Sequence, residues 1–108
     1  MARKIWACQF LATAAGAEAL TPFLNGDTSV ARRIVGIVAT PTALVDARVY
    51  RDRERVVDVL TNTITGANQP IACDIPLPTG VAAAVGIGNR SAGAIAVYDM
   101  SIVYDEPD

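Results

Sequence analysis

The chain of 108 residues contains no histidine. That removes the commonest general base at neutral pH and the commonest zinc ligand. Cysteine is scarce: Cys8 and Cys73 stand far apart and match no CxxC metal or redox spacing. They read as two small hydrophobes, with a disulfide open to them only if they fall on neighbouring strands. Aromatic residues make up 6% of a chain that is 52% hydrophobic, so the apolar mass comes from Ala, Val and Ile. Such residues suit closely packed sheets. A formal net charge of −2 gives bulk electrostatics no hold on nucleic acid. Lysine occurs once, at Lys4, and the other cations are all Arg, whose planar fork suits contacts with carboxylates.

Long hydrophobic runs are missing too. The run Ile5 to Ala15 is broken by Gln9 and Thr13 and is too short to span a bilayer as a helix. With Arg3 and Lys4 before it and Ala15-Gly16-Ala17 after it, it imitates a short signal peptide. Trp6, Phe10 and the β-branched Ile5 favour a first strand instead, so secretion is the weaker expectation.

The strongest pattern present is Ala94 to Asp105, AIAVYDMSIVYD. Strand side chains alternate faces with a period of two. Ala96, Tyr98, Met100, Ile102 and Tyr104 therefore share one face, expected to line a core. Val97, Asp99, Ser101, Val103 and Asp105 share the other, a mixture suited to a subunit contact. Upstream, Val30 to Thr40 reads as a strand with Ile34, Gly36 and Val38 on one face and Arg33, Val35 and Ile37 on the other, ended by Pro41. Gly16 to Leu24 is ambiguous, and Asn25-Gly26-Asp27 is a turn because Asn and Gly tolerate positive φ.

Ala47 to Arg51 and Arg55 to Leu60 form a hairpin through Asp52-Arg53-Glu54. Arg53 holds the position where a two-residue connection usually has Gly, so a loop of about three to five residues is expected. Thr61 to Thr65 continues or bends the second strand, and Gly66-Ala67-Asn68 closes it. Pro70 to Ile75 is a short strand whose following Pro76 and Pro78 mark an edge or crossing segment, since proline cannot donate to a ladder. Val81 to Gly88 is a buried strand of small residues, and Asn89 to Gly93 turns into the final strand.

Seven to eight strands at short, even spacing predict one all-β domain over 1–108, a single antiparallel β-sandwich or jelly roll. Residues 1–24 form an N-terminal arm or first strand, and 105–108 an acidic tail. No motif earns a catalytic, cofactor-binding or metal-binding assignment. Leu77-Pro78-Thr79-Gly80 lacks the residue a sortase signal needs between Pro and Thr. Gly86-Ile87-Gly88 lacks the third glycine and following helix of a dinucleotide fingerprint. Asn25, Asp27, Asp52, Glu54 and Asp74 offer oxygens in turns without the spacing of a calcium loop. Asp99 and Asp105 share a face but stand too far apart to act as a catalytic pair.

Arg48-Val49-Tyr50-Arg51-Asp52, then Val56-Val57-Asp58, Pro70-Ile71, Asp74-Ile75-Pro76-Leu77-Pro78 with Gly80, and Val85-Gly86-Ile87 with Asn89 and Ser91 carry a resemblance. Over roughly residues 30 to 105 the chain resembles small β-sandwich structural proteins of virus particles: decoration, minor-capsid and spike-base modules. The resemblance implies a structural role through self-assembly, without catalytic residues, in a virion or the cytoplasm of the producing cell. A homo-oligomer or larger protein assembly is the expected partner state. Its expected contacts are Trp6, the hairpin arginines Arg48, Arg51, Arg53 and Arg55, and the outward valines Val97 and Val103. The alternative is a carbohydrate-binding or adhesive β-sandwich, which would need exposed aromatic platforms.

Overall fold

The structure, a computed structural model, describes residues 2–39, 44–61 and 70–107. Pro41, the stretch 62–65, the turn Gly66-Ala67-Asn68, Asp108 and the side chain of Ala96 lie outside the described set. Among the described residues eight strands form: β1 (Ala2–Thr13), β2 (Glu18–Pro22), β3 (Arg32–Ala39), β4 (Val45–Arg51), β5 (Glu54–Leu60), β6 (Ile71–Leu77), β7 (Ala83–Asn89) and β8 (Ile95–Glu106). They pair antiparallel into sheet A, ordered β1-β8-β3-β6, and sheet B, ordered β2-β7-β4-β5. The two sheets pack against each other as a single β-sandwich.

The period-two pattern of the final strand sets the core. Tyr98, Met100, Ile102 and Tyr104 are buried on the inner face of β8, opposite Phe10, Cys8, Trp6 and Lys4 of β1. Ile34, Ile37 and Ile75 join them from sheet A, and Val45, Ala47, Val49, Val85 and Ile87 meet them from sheet B. Burying aliphatic side chains of this size is worth roughly 1.5–3 kcal/mol each, which is what holds the layers together.

Strict alternation fails in β3. The register shifts between Ile34 and Gly36, where β3 has one residue more than β8 and one fewer than β6. Ile34 and Ile37 both point inward at 0% exposure, and Ile37 therefore lies on the core face rather than with Arg33. A bulge lets two apolar residues of opposite parity share one face.

The β4–β5 connection is also shorter than expected. Arg51 pairs directly with Glu54, leaving only Asp52 and Arg53 in the turn. Asp52 takes the left-handed conformation at φ 56°, which Asp tolerates better than most residues. A register shift opposite Val49 and Tyr50 leaves Val56 as an extra residue, and the added twist accommodates the tight turn. Cys8 and Cys73 fall on β1 and β6, the two edges of sheet A, and both are free thiols. Three strand spacings, about 14 Å, separate those edges, far beyond disulfide reach.

The β1–β2 and β7–β8 connections are tied by one buried side chain. Asn89, 1% exposed, donates through Nδ2 to the carbonyls of Thr13, Ala14 and Gly93 at 3.1, 3.2 and 2.9 Å. Its Oδ1 accepts from the Ser91 amide at 3.0 Å and the Ser91 hydroxyl at 2.6 Å. A buried amide with both ends satisfied stabilises a loop junction, whereas an unsatisfied one would cost about 1–3 kcal/mol.

Candidate functional site

The most developed polar constellation covers the outer face of sheet B. Arg48 projects outward from β4, beside β7, where Gly86 and Gly88 bear no side chains. Its Nη1 holds Glu18 Oε2 of β2 at 2.8 Å, its Nε holds Asp58 Oδ1 of β5 at 3.1 Å, and its Nη2 lies 3.4 Å from Asp46 Oδ2. Tyr50 donates its hydroxyl to Glu18 Oε2 at 2.8 Å. Arg90 reaches Asp46 at 2.6 Å, and Arg55 reaches Asp58 at 3.4 Å. Three guanidinium groups thus meet three carboxylates drawn from β2, β4, β5 and the residue that follows β7.

The electrostatics favour the charged forms of Arg48 and Glu18. Hydrogen bonding to Glu18 raises the Arg48 guanidinium above its ordinary range, against the opposing effect of burial. Burial pushes the Glu18 carboxyl up, yet hydrogen bonds from Arg48 and Tyr50 outweigh it and hold Glu18 below its ordinary value. The Tyr50 phenol is raised by the hydrogen bond it gives Glu18. The Asp46 side chain is only 3% exposed and faces both Arg48 and Arg90. A planar fork that contacts three carboxylates at once ties the sheet together laterally, which a lysine ammonium cannot do.

Sheet A presents a different outer face. Ile5 is 70% exposed and Val97 is 52% exposed. Ala7, Val38 and Val103 lie on the same side of the sheet, around Ser101. One end of the sheet is rimmed by ion pairs: on the outer side Arg3 with Asp105 at 2.9 Å and Arg33 with Asp74, and on the inner side Lys4 with Glu106, and Arg32 with Glu106 at 2.8 Å and Asp27 at 3.0 Å. Between Ser101 and Val97, Gln9 Nε2 donates to Asp99 Oδ1 at 3.0 Å, which sets Val97 apart from Ile5. A shallow groove of about 350 Å³ beside β2 is lined by Leu20, Thr21, Pro22, Asp52 and Ala82–Ala84. It offers one carboxylate among small apolar groups, too few polar contacts to orient a ligand.

The residues expected to make contacts do not converge. Arg48 is central to the network on sheet B, and Arg55 joins it through Asp58. Arg51 donates to the Pro76 carbonyl at 3.5 Å, and Arg53 sits in the turn. Val97 and Val103 lie on the opposite side of the sandwich. Trp6 is half-buried on the inner face, edge to face with Phe23 at 5.4 Å, and Phe23 meets Tyr104 in the same way at 5.2 Å. Glu18, Arg90 and Asn89 were not singled out by the sequence as members of these clusters. For Asn89 a signal exists: its parity with Val85 and Ile87 places it inward. For Glu18 and Arg90 none does, because their partners are brought in by strand order alone.

Among the described residues no group of three or more Cys, Asp or Glu side chains could hold a metal ion. Nor is any helix there long and apolar enough to cross a membrane. The fold and its two faces define an eight-stranded antiparallel β-sandwich with one cross-linked polar face and one partly apolar face. No protein-family model, curated protein or solved structure matches the chain.

Proposed function

We propose that this chain is a non-enzymatic structural protein that self-assembles through β-sandwich contacts, as a capsid, decoration or spike-base component of a virus particle. The observation that carries self-assembly is the outer face of sheet A, where Ile5 and Val97 are 70% and 52% exposed. Apolar surface of this kind on a small domain favours a protein partner. The polar face of sheet B supports the same reading, since its charges are engaged with one another. The virion assignment rests on the resemblance over residues 30 to 105, and with it go a virion or producer-cell location and a homo-oligomeric partner state.

Light scattering coupled to size-exclusion chromatography tests the proposal. A species of twice the 11.3 kDa chain mass or more is expected. A monomer that persists at high concentration would overturn it. The carbohydrate reading has less support, because Phe10, Phe23, Tyr98 and Tyr104 are each 6% exposed or less. Tyr50 is tied to Glu18, which leaves no paired aromatic platform. Binding on a glycan array would reinstate that reading.

A further inference from the structure

We infer that the free edge of β1 pairs antiparallel with the β1 edge of a second copy, continuing sheet A across a two-fold axis; this rests on the self-assembly reading above. A sheet edge presents unpaired N–H and C=O groups, and proteins that stay apart blunt their edges with proline, bulges, short strands or charge.

Three of the four edges here are blunted. β6 contains Pro76 and is flanked by Pro70 and Pro78. β2 is five residues long and ends in Pro22. β5 carries the extra residue Val56 and the charges Glu54, Arg55 and Asp58. β1 has none of these through most of its length. It runs twelve residues without proline or glycine, and its register against β8 is unbroken from Ala2↔Glu106 to Thr13↔Ile95. Its only charges, Arg3 and Lys4, lie at its start. Among the described residues it has a strand neighbour on one side only.

The occupant follows from parity and charge. A second copy must place inner-face residues beside inner-face residues, so paired positions must sum to an even number. The sum of 12 sets Arg3 opposite the partner's Gln9, Ile5 opposite the partner's Ala7, and Trp6 opposite the partner's Trp6. Gln9 already holds Asp99, whose carboxylate has no cation partner among the described residues. Arg3 is 65% exposed and binds Asp105 through Nε and Nη2, leaving Nη1 to approach the Gln9–Asp99 pair of the other copy. Sums of 14 and 16 would place Arg3 against Leu11 or Thr13 instead. The same register covers Ile5, the most exposed large hydrophobic among the described residues, and the half-buried Trp6.

The test combines light scattering with hydrogen exchange at high and low protein concentration, for the wild type and for Ile5→Lys and Gln9→Arg. Both changes are at exposed side chains, so circular dichroism should show the fold intact. The expected result is a dimer, or a larger even-numbered assembly, whose residues 2–13 lose exchange protection on dilution. Each variant should raise the dissociation constant by about tenfold or more, Gln9→Arg by setting a like charge opposite the partner's Arg3 and Ile5→Lys by bringing a charge into the apolar contact with the partner's Ala7. An oligomer unchanged in both variants, with residues 2–13 insensitive to dilution, would overturn the edge pairing and leave self-assembly standing. A monomer at every concentration would overturn both.

Discussion

The Arg48 guanidinium fills the space directly above Gly88: a Cβ on Gly88 would lie 2.5 Å from Arg48 Cζ. The neighbouring Gly86 is tighter, since its Cβ would meet the Ala19 carbonyl oxygen at 1.9 Å. One obstacle is the end of a long side chain, the other is backbone. Gly86→Ala should therefore cost about 3 kcal/mol, by forcing β2 away from β7, and Gly88→Ala about 1 kcal/mol, by displacing the guanidinium. Urea unfolding of both variants checks the order. Equal costs would mean that the network holds Arg48 as firmly as the backbone is held.

Removing the central cation should be worse than crowding it. Arg48→Met leaves Glu18 and Asp58 without their shared partner and the nearly buried Asp46 with Arg90 alone. Breaking such a pair from one side costs about 3 kcal/mol or more. Arg48→Lys should recover less than half of that loss, because one ammonium cannot span three carboxylates. Chemical denaturation of the three proteins distinguishes the cases, and full rescue by lysine would contradict the geometry.

Asn89→Ala should destabilise by about 3 kcal/mol, since the carbonyls of Thr13, Ala14 and Gly93 lose their shared donor. Asn89→Asp should be at least as damaging, with a carboxylate facing three carbonyl oxygens. Hydrogen exchange is the sharper readout: protection should fall first around residues 13–17 and 89–93. Uniform loss across the sandwich would show that the junction does not open independently.

Acid should weaken the fold in a defined window. Hydrogen bonds from the Ser29 hydroxyl and amide, followed by Arg32, hold the Asp27 carboxyl down to about 2. Glu18 is lowered as well, as are Asp105, chiefly by Arg3, and Glu106, chiefly by Lys4 and then Arg32. Each is depressed on folding, so its contribution is complete above the unfolded value near 4 and is lost as pH falls through the folded value. Urea midpoints should be flat from neutrality to about pH 5 and decline towards pH 2. A carboxyl titration of Asp27 by NMR with a midpoint near 4 would contradict this.

Burial pushes the Cys8 thiol up to about 11 and the Cys73 thiol upward. Thiolate is the reactive species, so Cys8 should react with a disulfide reagent about a hundredfold slower than a free cysteine at neutral pH. Both thiols should titrate once urea unfolds the chain. Detection of a single reducible Cys8–Cys73 bond would contradict the sheet order.

Legibility in the sequence followed the range of the interactions. The inner face of β8 could be read from residues two apart, as could the small-residue strand β7 and the proline-marked edge β6, because each is a local pattern. The bulge in β3 could not: whether Ile37 stays with Arg33 and Val35 or turns inward depends on where β6 and β8 accept hydrogen bonds. The Asp52-Arg53 turn depended on twist from a bulge four residues away. The charged hairpin was visible as a cluster, but Glu18 and Arg90 reach it from distant segments. Their role is set by strand order, which no local period encodes.

The pairing of β1 with β8 also has a consequence in time. Ala2 meets Glu106 and Thr13 meets Ile95, so the first strand waits for nearly the whole sandwich to be synthesised before its neighbour exists. Contacts this distant in sequence form slowly, and a waiting strand exposes both of its edges. Ile5, Trp6 and Phe10 would spend that interval uncovered. Folding at high concentration therefore becomes a race between β8 and the β1 of another chain for the same strand.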